Sequence, residues 1–134
     1  MIILGFDFGM KKIGVATGQT ITRTATPLCQ LKAQDGVPNW DEMDALFKQW
    51  HPKACIIGLP FHADGSESPL VPRAKAFGQK LKKRYIDYNI ECYFIDEHLT
   101  SFEARQLSKN SNNKSNMIDA TAAMIILESW LATQ

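Results

Sequence analysis

A chain of 134 residues, 45% of them apolar, has the size of one ordinary domain and the material for a real core. Its formal net charge of +1 argues neither for nor against a nucleic-acid partner, and confines any basic surface to a local patch. No apolar stretch reaches the roughly 18 residues of a membrane span, and the N-terminus runs straight into a strand pattern with no basic leader, so a soluble cytoplasmic protein without a membrane partner is expected. The three cysteines, Cys29, Cys55 and Cys92, form no C-x-x-C and suit small core residues in a reducing compartment better than a disulfide or zinc site.

In chain order, residues 2–8 form an apolar run expected to be a buried strand. Residues 12–18 and 21–31 follow as two more, joined by short turns around Gly9 and Gly18-Gln19, which gives an antiparallel meander. Residues 34–38 have loop composition. Asp41 is placed to cap a helix over 41–50, whose apolar face is Met43, Leu46, Phe47 and Trp50. Ala54 to Leu59 is a central strand closed by Pro60, and a loop containing Asp64-Gly65 follows. Ser68-Pro69 suits the start of a helix running to about Tyr85. Ile90 to Ile95 is a further strand. Thr100 with Glu103 fits a capping box for a short helix to about Ser108. A polar loop, 109–115, leads to a last helix from about Asn116 to Ala132. The pattern βββαβαβαα predicts an α/β domain spanning 1–134, with a mixed five-stranded sheet flanked by helices.

The chemistry rests on carboxylates. Asp7 stands near the end of the first strand, where aspartate is disfavoured and costly to bury unless something neutralises it. Asp96 and Glu97 end the last strand, at the carboxyl edge where sites gather in open α/β sheets. Asp119 opens the last helix among small and apolar neighbours. Oxygen ligands of this kind suit Mg²⁺ or Mn²⁺, and such a cluster serves phosphodiester hydrolysis. Taken singly, Asp119 is explained equally well by the helix macrodipole, and Asp96-Glu97 by a strand-end turn. Only one of that pair is expected to face the site, because strand residues alternate. Gly9 and Gly14 either let backbone approach a phosphate or permit a turn or bulge. Lys11 and Lys12 flank the acids at the hairpin turn. Arg73 and the lysines that follow it on the second helix are either a solvated face or a phosphate-contact surface. Trp40, Trp50 and Trp130 sit at helical spacing and belong to core or rim rather than to stacking platforms.

The set Asp7-Phe8-Gly9 with Lys11, Gly58-Leu59-Pro60, Asp96-Glu97-His98-Leu99-Thr100-Ser101, and Asp119 in an alanine-rich helix resembles, in order and spacing over essentially the whole chain, the YqgF family, also called RuvX. The resemblance implies an RNase H-like fold and a nuclease using divalent metal. Members are described as pre-16S rRNA nucleases acting at the 5′ end in ribosome biogenesis, or as Holliday junction resolvases. Carried over, the catalytic and metal-binding acids are Asp7, Glu97 and Asp119, with Asp96 as the alternative to Glu97. Nucleic-acid contacts are expected at Lys11, Lys12, Arg73, His98 and Lys114. The implied partners are structured RNA, branched DNA and pre-ribosomal particles, met by a monomer or weak homodimer. Two departures stand out. The family usually has arginine where this chain has His98, so phosphate contact there is expected to be weaker or pH-dependent. A lysine often precedes the last acid by two residues; here that position is Met117, with Lys114 the nearest substitute.

Two other functions compete on sequence alone. Actin-like phosphotransferases open with a similar Asp-x-Gly hairpin, although they need two such domains. A non-catalytic RNA-binding assembly module would keep the fold without the chemistry.

Overall fold

Five apolar or small residues followed by Asp7 make β1 (Ile2–Asp7) the buried centre of a sheet, with partners on both sides. A computed structural model describes residues 1–59, 68–96 and 118–134. The remaining elements are β2 (Lys12–Gln19), β3 (Thr24–Gln34), β4 (Val37–Pro38), α1 (Trp40–Trp50), β5 (Ala54–Leu59), α2 (Val71–Arg84), a 3₁₀ turn (Ile86–Tyr88), β6 (Glu91–Asp96) and α3 (Ile118–Leu131). The sheet order is β4-β3-β2-β1-β5-β6. β1 to β4 form antiparallel pairs, whereas β1, β5 and β6 run parallel.

Strand alternation sends side chains to two cores. Leu4, Phe6, Val15, Cys55 and Ile57 pack against α1 and α2, through Met43, Phe47, Ala74, Phe77 and Leu81. Ile3, Ala16, Ala54 and Ile56 pack against α3, through Ala123, Ile126, Leu127 and Leu131. The sheet is thus covered on both faces, and its central strands are apolar throughout, as parallel strands between helix layers require. Cys55 and Cys92 are register partners on β5 and β6 and remain free thiols. Burial, then the neighbouring Cys92, pushes the Cys55 thiol up.

The expected architecture stands, with one more strand than the five predicted. Residues 34–38 form a hairpin rather than a loop. Asp35 (φ 53°) and Gly36 (φ 80°) both take positive φ, and Ala33 and Gln34 pair with Pro38 and Val37. Asp-Gly is the dipeptide that favours this two-residue connection. The turn after β2 falls at 20–23, with Arg23 at φ 55°, later than the predicted Gly18-Gln19. The cap of α1 is Asn39, whose Oδ1 accepts from Asp41 N (2.9 Å) and Glu42 N (3.3 Å); Asp41 lies in the first turn. α2 starts at Val71, with Pro72 in its first turn, because Ser68 Oγ and Ser68 O accept from Leu70 N and Val71 N in the preceding turn. The short helix predicted to end near Ser108 lies outside the described residues.

Pro27 sits inside β3, which few strands tolerate. It is allowed because β4 pairs with Ala33 and Gln34 alone, leaving the Pro27 edge unpaired, beside a bulge opposite Val15/Ala16.

A polar clamp joins α1 to the end of α2. Arg84 Nε and Nη2 donate to Asp44 Oδ1 (2.9 Å) and Oδ2 (2.8 Å), and Tyr85 Oη donates to Asp44 Oδ1 (2.7 Å). The Tyr85 ring stacks on Phe47 with centroids 3.7 Å apart. The bonds from Arg84 and Tyr85 hold the Asp44 carboxyl below its usual range. Burial, then the Asp44 bond, pushes the Tyr85 hydroxyl well above its ordinary value. A folded pKa above the unfolded value near 10 means that Tyr85 contributes stability that is fully present below pH 10 and is lost as pH rises beyond it. Tyr85→Phe should therefore cost about 1 kcal/mol at neutral pH. The wild-type advantage over this variant in urea denaturation should shrink above pH 10; a difference that stays constant or grows with alkalinity contradicts the assignment.

Candidate active site

Asp7 ends β1 at 6% exposure. Its parity with Ile3 and Gly5 places it on the face that α3 covers. Its register partners on both neighbouring strands are glycines, Gly14 on β2 and Gly58 on β5. Paired residues share a face, so no cross-strand side chain crowds the carboxylate.

The N-terminus of α3 enters the space that Gly14 leaves. A Cβ at Gly14 would fall on the Asp119 carbonyl, with Ala120 N 2.8 Å away. Farther along, a Cβ at Gly5 would lie 2.5 Å from Leu127 Cγ and 3.0 Å from the Ala123 carbonyl. Glycine on the strands and buried alanines, Ala120, Ala122 and Ala123, on the helix let the two backbones approach closely. Asp119, half-buried in the first turn of α3, is thereby set beside the β1–β2 pair that carries Asp7. An acid there also suits the helix macrodipole, so the local preference and the site require the same residue.

The residues of β6 alternate between the two faces of the sheet. Tyr93 meets Trp130 of α3 (centroids 5.3 Å), and Ile95 packs into the α3 cluster. Cys92 Sγ donates to Gly78 O of α2 (3.5 Å), and the Phe94 ring lies against Gly78. Asp96 shares the parity of Cys92 and Phe94. It stands exposed at the strand end, on the α2 side rather than the Asp7 side. Glu97, His98 and Lys114 lie outside the described residues. Among the described residues no three His, Cys, Asp or Glu side chains form a group able to hold a metal ion; Asp119 is brought toward Asp7 through Gly14, the register partner of Asp7, against which the Asp119 carbonyl packs.

Lys11 and Lys12 are exposed at the β1–β2 turn. Lys12 shares the Gly14 face and pairs with Lys32 of β3. Two like charges directly opposite each other are unfavourable in a bare sheet, which marks Lys32 as a cation that the sequence pattern does not reveal; only the register shows it. Arg73 lies away from Asp7. Its Nη1 donates to Asp35 O (3.3 Å) and Oδ1 (3.4 Å) and contacts Met10 Sδ (3.8 Å), on the α2 face. Gly9 has the turn role: a Cβ there would lie 2.6 Å from the Lys12 carbonyl. Gly14 has neither expected role, since it makes room for a helix.

Gly14→Ala should displace the start of α3 and destabilise the fold by about 1–3 kcal/mol. Denaturant unfolding measures this cost, and amide exchange over 118–122 should rise; a variant as stable and as protected as the parent refutes the close contact.

A family model described as "RuvX: Holliday junction resolvase" matches residues 1–133. A protein of Pseudomonas fluorescens (strain SBW25) named "Putative pre-16S rRNA nuclease" is 45% identical over 135 residues, covering 97% of this chain and 91% of its own. A protein of the same name from Hydrogenovibrio crunogenus is 45% identical over 130 residues, covering 97% and 92%. Among solved structures, the Fowlpox virus resolvase in complex with Holliday junction DNA superposes with a TM-score of 0.60 at 15% identity, over 99% of this chain and 98% of that one. T. thermophilus RuvC with a Holliday junction substrate gives 0.55 at 13%, over 99% and 97%. These distant likenesses show the fold, that of RuvC-like, RNase H-like resolvases. The whole-length family match and the close relatives go further: this chain belongs to the RuvX family.

Proposed function

We propose that this chain is a divalent-metal-dependent nuclease, with residues 1–134 acting as one nuclease domain, and that it trims the 5′ end of pre-16S rRNA. Family membership supports phosphodiester hydrolysis, and the relatives' name supports the rRNA substrate. The observation that carries the reading is Asp7, buried in the sheet between two glycines, with the start of α3 and its Asp119 brought against one of them.

An all-oxygen donor set of carboxylates fits Mg²⁺ or Mn²⁺. Asp7 and Asp119 would hold it together with Glu97, the third acid that the family resemblance carries over. A divalent ion held there lowers the pKa of an attacking water and stabilises the leaving oxygen. The protein's own part is to position the phosphate. Lys11, Lys12 and Lys32 supply positive charge at the β1–β2–β3 corner, and such contacts fix the strand without reading its sequence. Gly14 and Gly58 keep side chains out of the space before Asp7. Among the described residues no helix is long and apolar enough to cross a membrane, which accords with work in the cytoplasm on nucleic acid. Branched DNA is the second reading, favoured by the family's description.

Asp7→Asn, which keeps shape and hydrogen bonding, should reduce Mn²⁺-dependent cleavage of a precursor rRNA fragment to the level of the metal-free protein while leaving the melting temperature near that of the parent. Undiminished cleavage by the folded variant refutes the assignment. Faster cutting of a four-way DNA junction than of the rRNA fragment supports the second reading instead.

A further inference from the structure

On the sheet face opposite Asp7, a cavity of about 130 Å³ opens between the β3–β4 hairpin and α2. It is lined by buried Phe8 and Phe77, half-buried Trp40, and exposed Arg73 and Lys80. A second hollow continues from it, with Trp40 and Lys80 in common and Lys83 added. Arg73, Lys80 and Lys83 lie on one side of α2. From Arg73 to Lys83 the helix rises about 15 Å, a length that a few nucleotides of one strand cover. Arg73 faces Asp35 at 3.4 Å, and Arg84, 5.0 Å from the centre of the Trp40 ring, is engaged by Asp44. Among the described residues no carboxylate pairs with Lys80 or Lys83, so their charge remains available. The trough also reaches the catalytic corner: Phe8 follows Asp7 directly, and Gly36 N donates to Met10 O (2.9 Å), fastening the hairpin to the turn after Asp7.

An indole beside unpaired cations in a roomy cleft is the combination that holds unpaired nucleotides, with the base stacked and the phosphates neutralised. We infer that the Trp40–Lys80–Lys83 trough binds a single-stranded RNA segment flanking the scissile phosphate, so that the enzyme grips a tail on one face of the sheet and cuts on the other. Trp40 is then more than the rim residue its helical spacing suggested. The proposal rests on the nuclease reading for the position of the cut, and on the trough alone for the binding.

The test uses fluorescein-labelled RNA hairpins, one blunt and one carrying a single-stranded tail of about six nucleotides, within the usual footprint of a single-strand site. Binding is read by anisotropy in EDTA, where no metal-dependent cleavage occurs. The double variant Lys80→Gln/Lys83→Gln should weaken the tailed hairpin about tenfold, lower its log–log salt slope by about 2, and leave the blunt hairpin within about twofold. Trp40→Leu should weaken the tailed hairpin about fivefold or more, and Trp40→Phe should retain most of the affinity. Equal weakening of tailed and blunt forms by the lysine variant, or no weakening of either, overturns the trough; equal loss in Trp40→Leu and Trp40→Phe overturns the stacking. Tail binding by a wild-type protein that cleaves nothing with Mn²⁺ defeats the nuclease reading and leaves the trough standing.

Discussion

The distance of closest approach between α3 and the β1–β2 ribbon governs this molecule. A helix packed over ordinary side chains stands well clear of the strands beneath it. Here Gly5 and Gly14 remove the obstruction, and buried alanines remove it from the other side. The helix backbone rests on the strand backbone, and its first turn arrives beside Asp7. Any larger residue at position 14 would separate Asp119 from the strand that carries Asp7. The close approach of α3 to the β1–β2 pair is thus a property of the side chains missing between them.

The sheet supplies the rest of the geometry by parity. Asp7 and Phe8 are consecutive and point to opposite faces, one toward α3 and the other into the α1–α2 side. Because parallel β1, β5 and β6 share a carboxyl edge, Asp7, Gly58 and Ile95 stand in one row. The same row sets Asp96 out of phase with Asp7. Electrostatics then divides the surface. The cations at the meander corner lie on the acid face, whereas those of α2 gather around Trp40 on the other. A near-neutral chain keeps two local basic regions because its carboxylates are spent elsewhere, Asp44 on Arg84 being the clearest case.

Much of this was legible in the sequence, for identifiable reasons. An aspartate within an apolar strand is costly, so Asp7 announced itself. Asp119 could be placed because small residues on both sides implied close packing. β5 was bounded by Pro60, and α1 by the spacing of Met43, Phe47 and Trp50. Other features are invisible to local pattern. The cap fell to Asn39 rather than Asp41 because two side chains of similar capping power stand two residues apart, and tertiary fit decides between them. The Asp35-Gly36 hairpin reads as a loop in sequence, although its dipeptide carries the turn chemistry, because β4 is too short for an alternating pattern. Lys32 acquires meaning only through its register with Lys12, and Trp40 only through the hairpin and helix that open a space before it. The face on which Asp96 lies needed the facing partners of Tyr93 and Phe94, which no spacing rule provides.

Pro27 has a consequence for self-association. A strand lying at the rim of a sheet offers free backbone donors and acceptors to any similar strand, and so invites end-to-end polymer growth. With its nitrogen lacking a hydrogen and a bulge twisting the neighbouring residues, β3 presents a broken template over much of its outer side. The chain is in this way protected from zipping onto copies of itself along that edge.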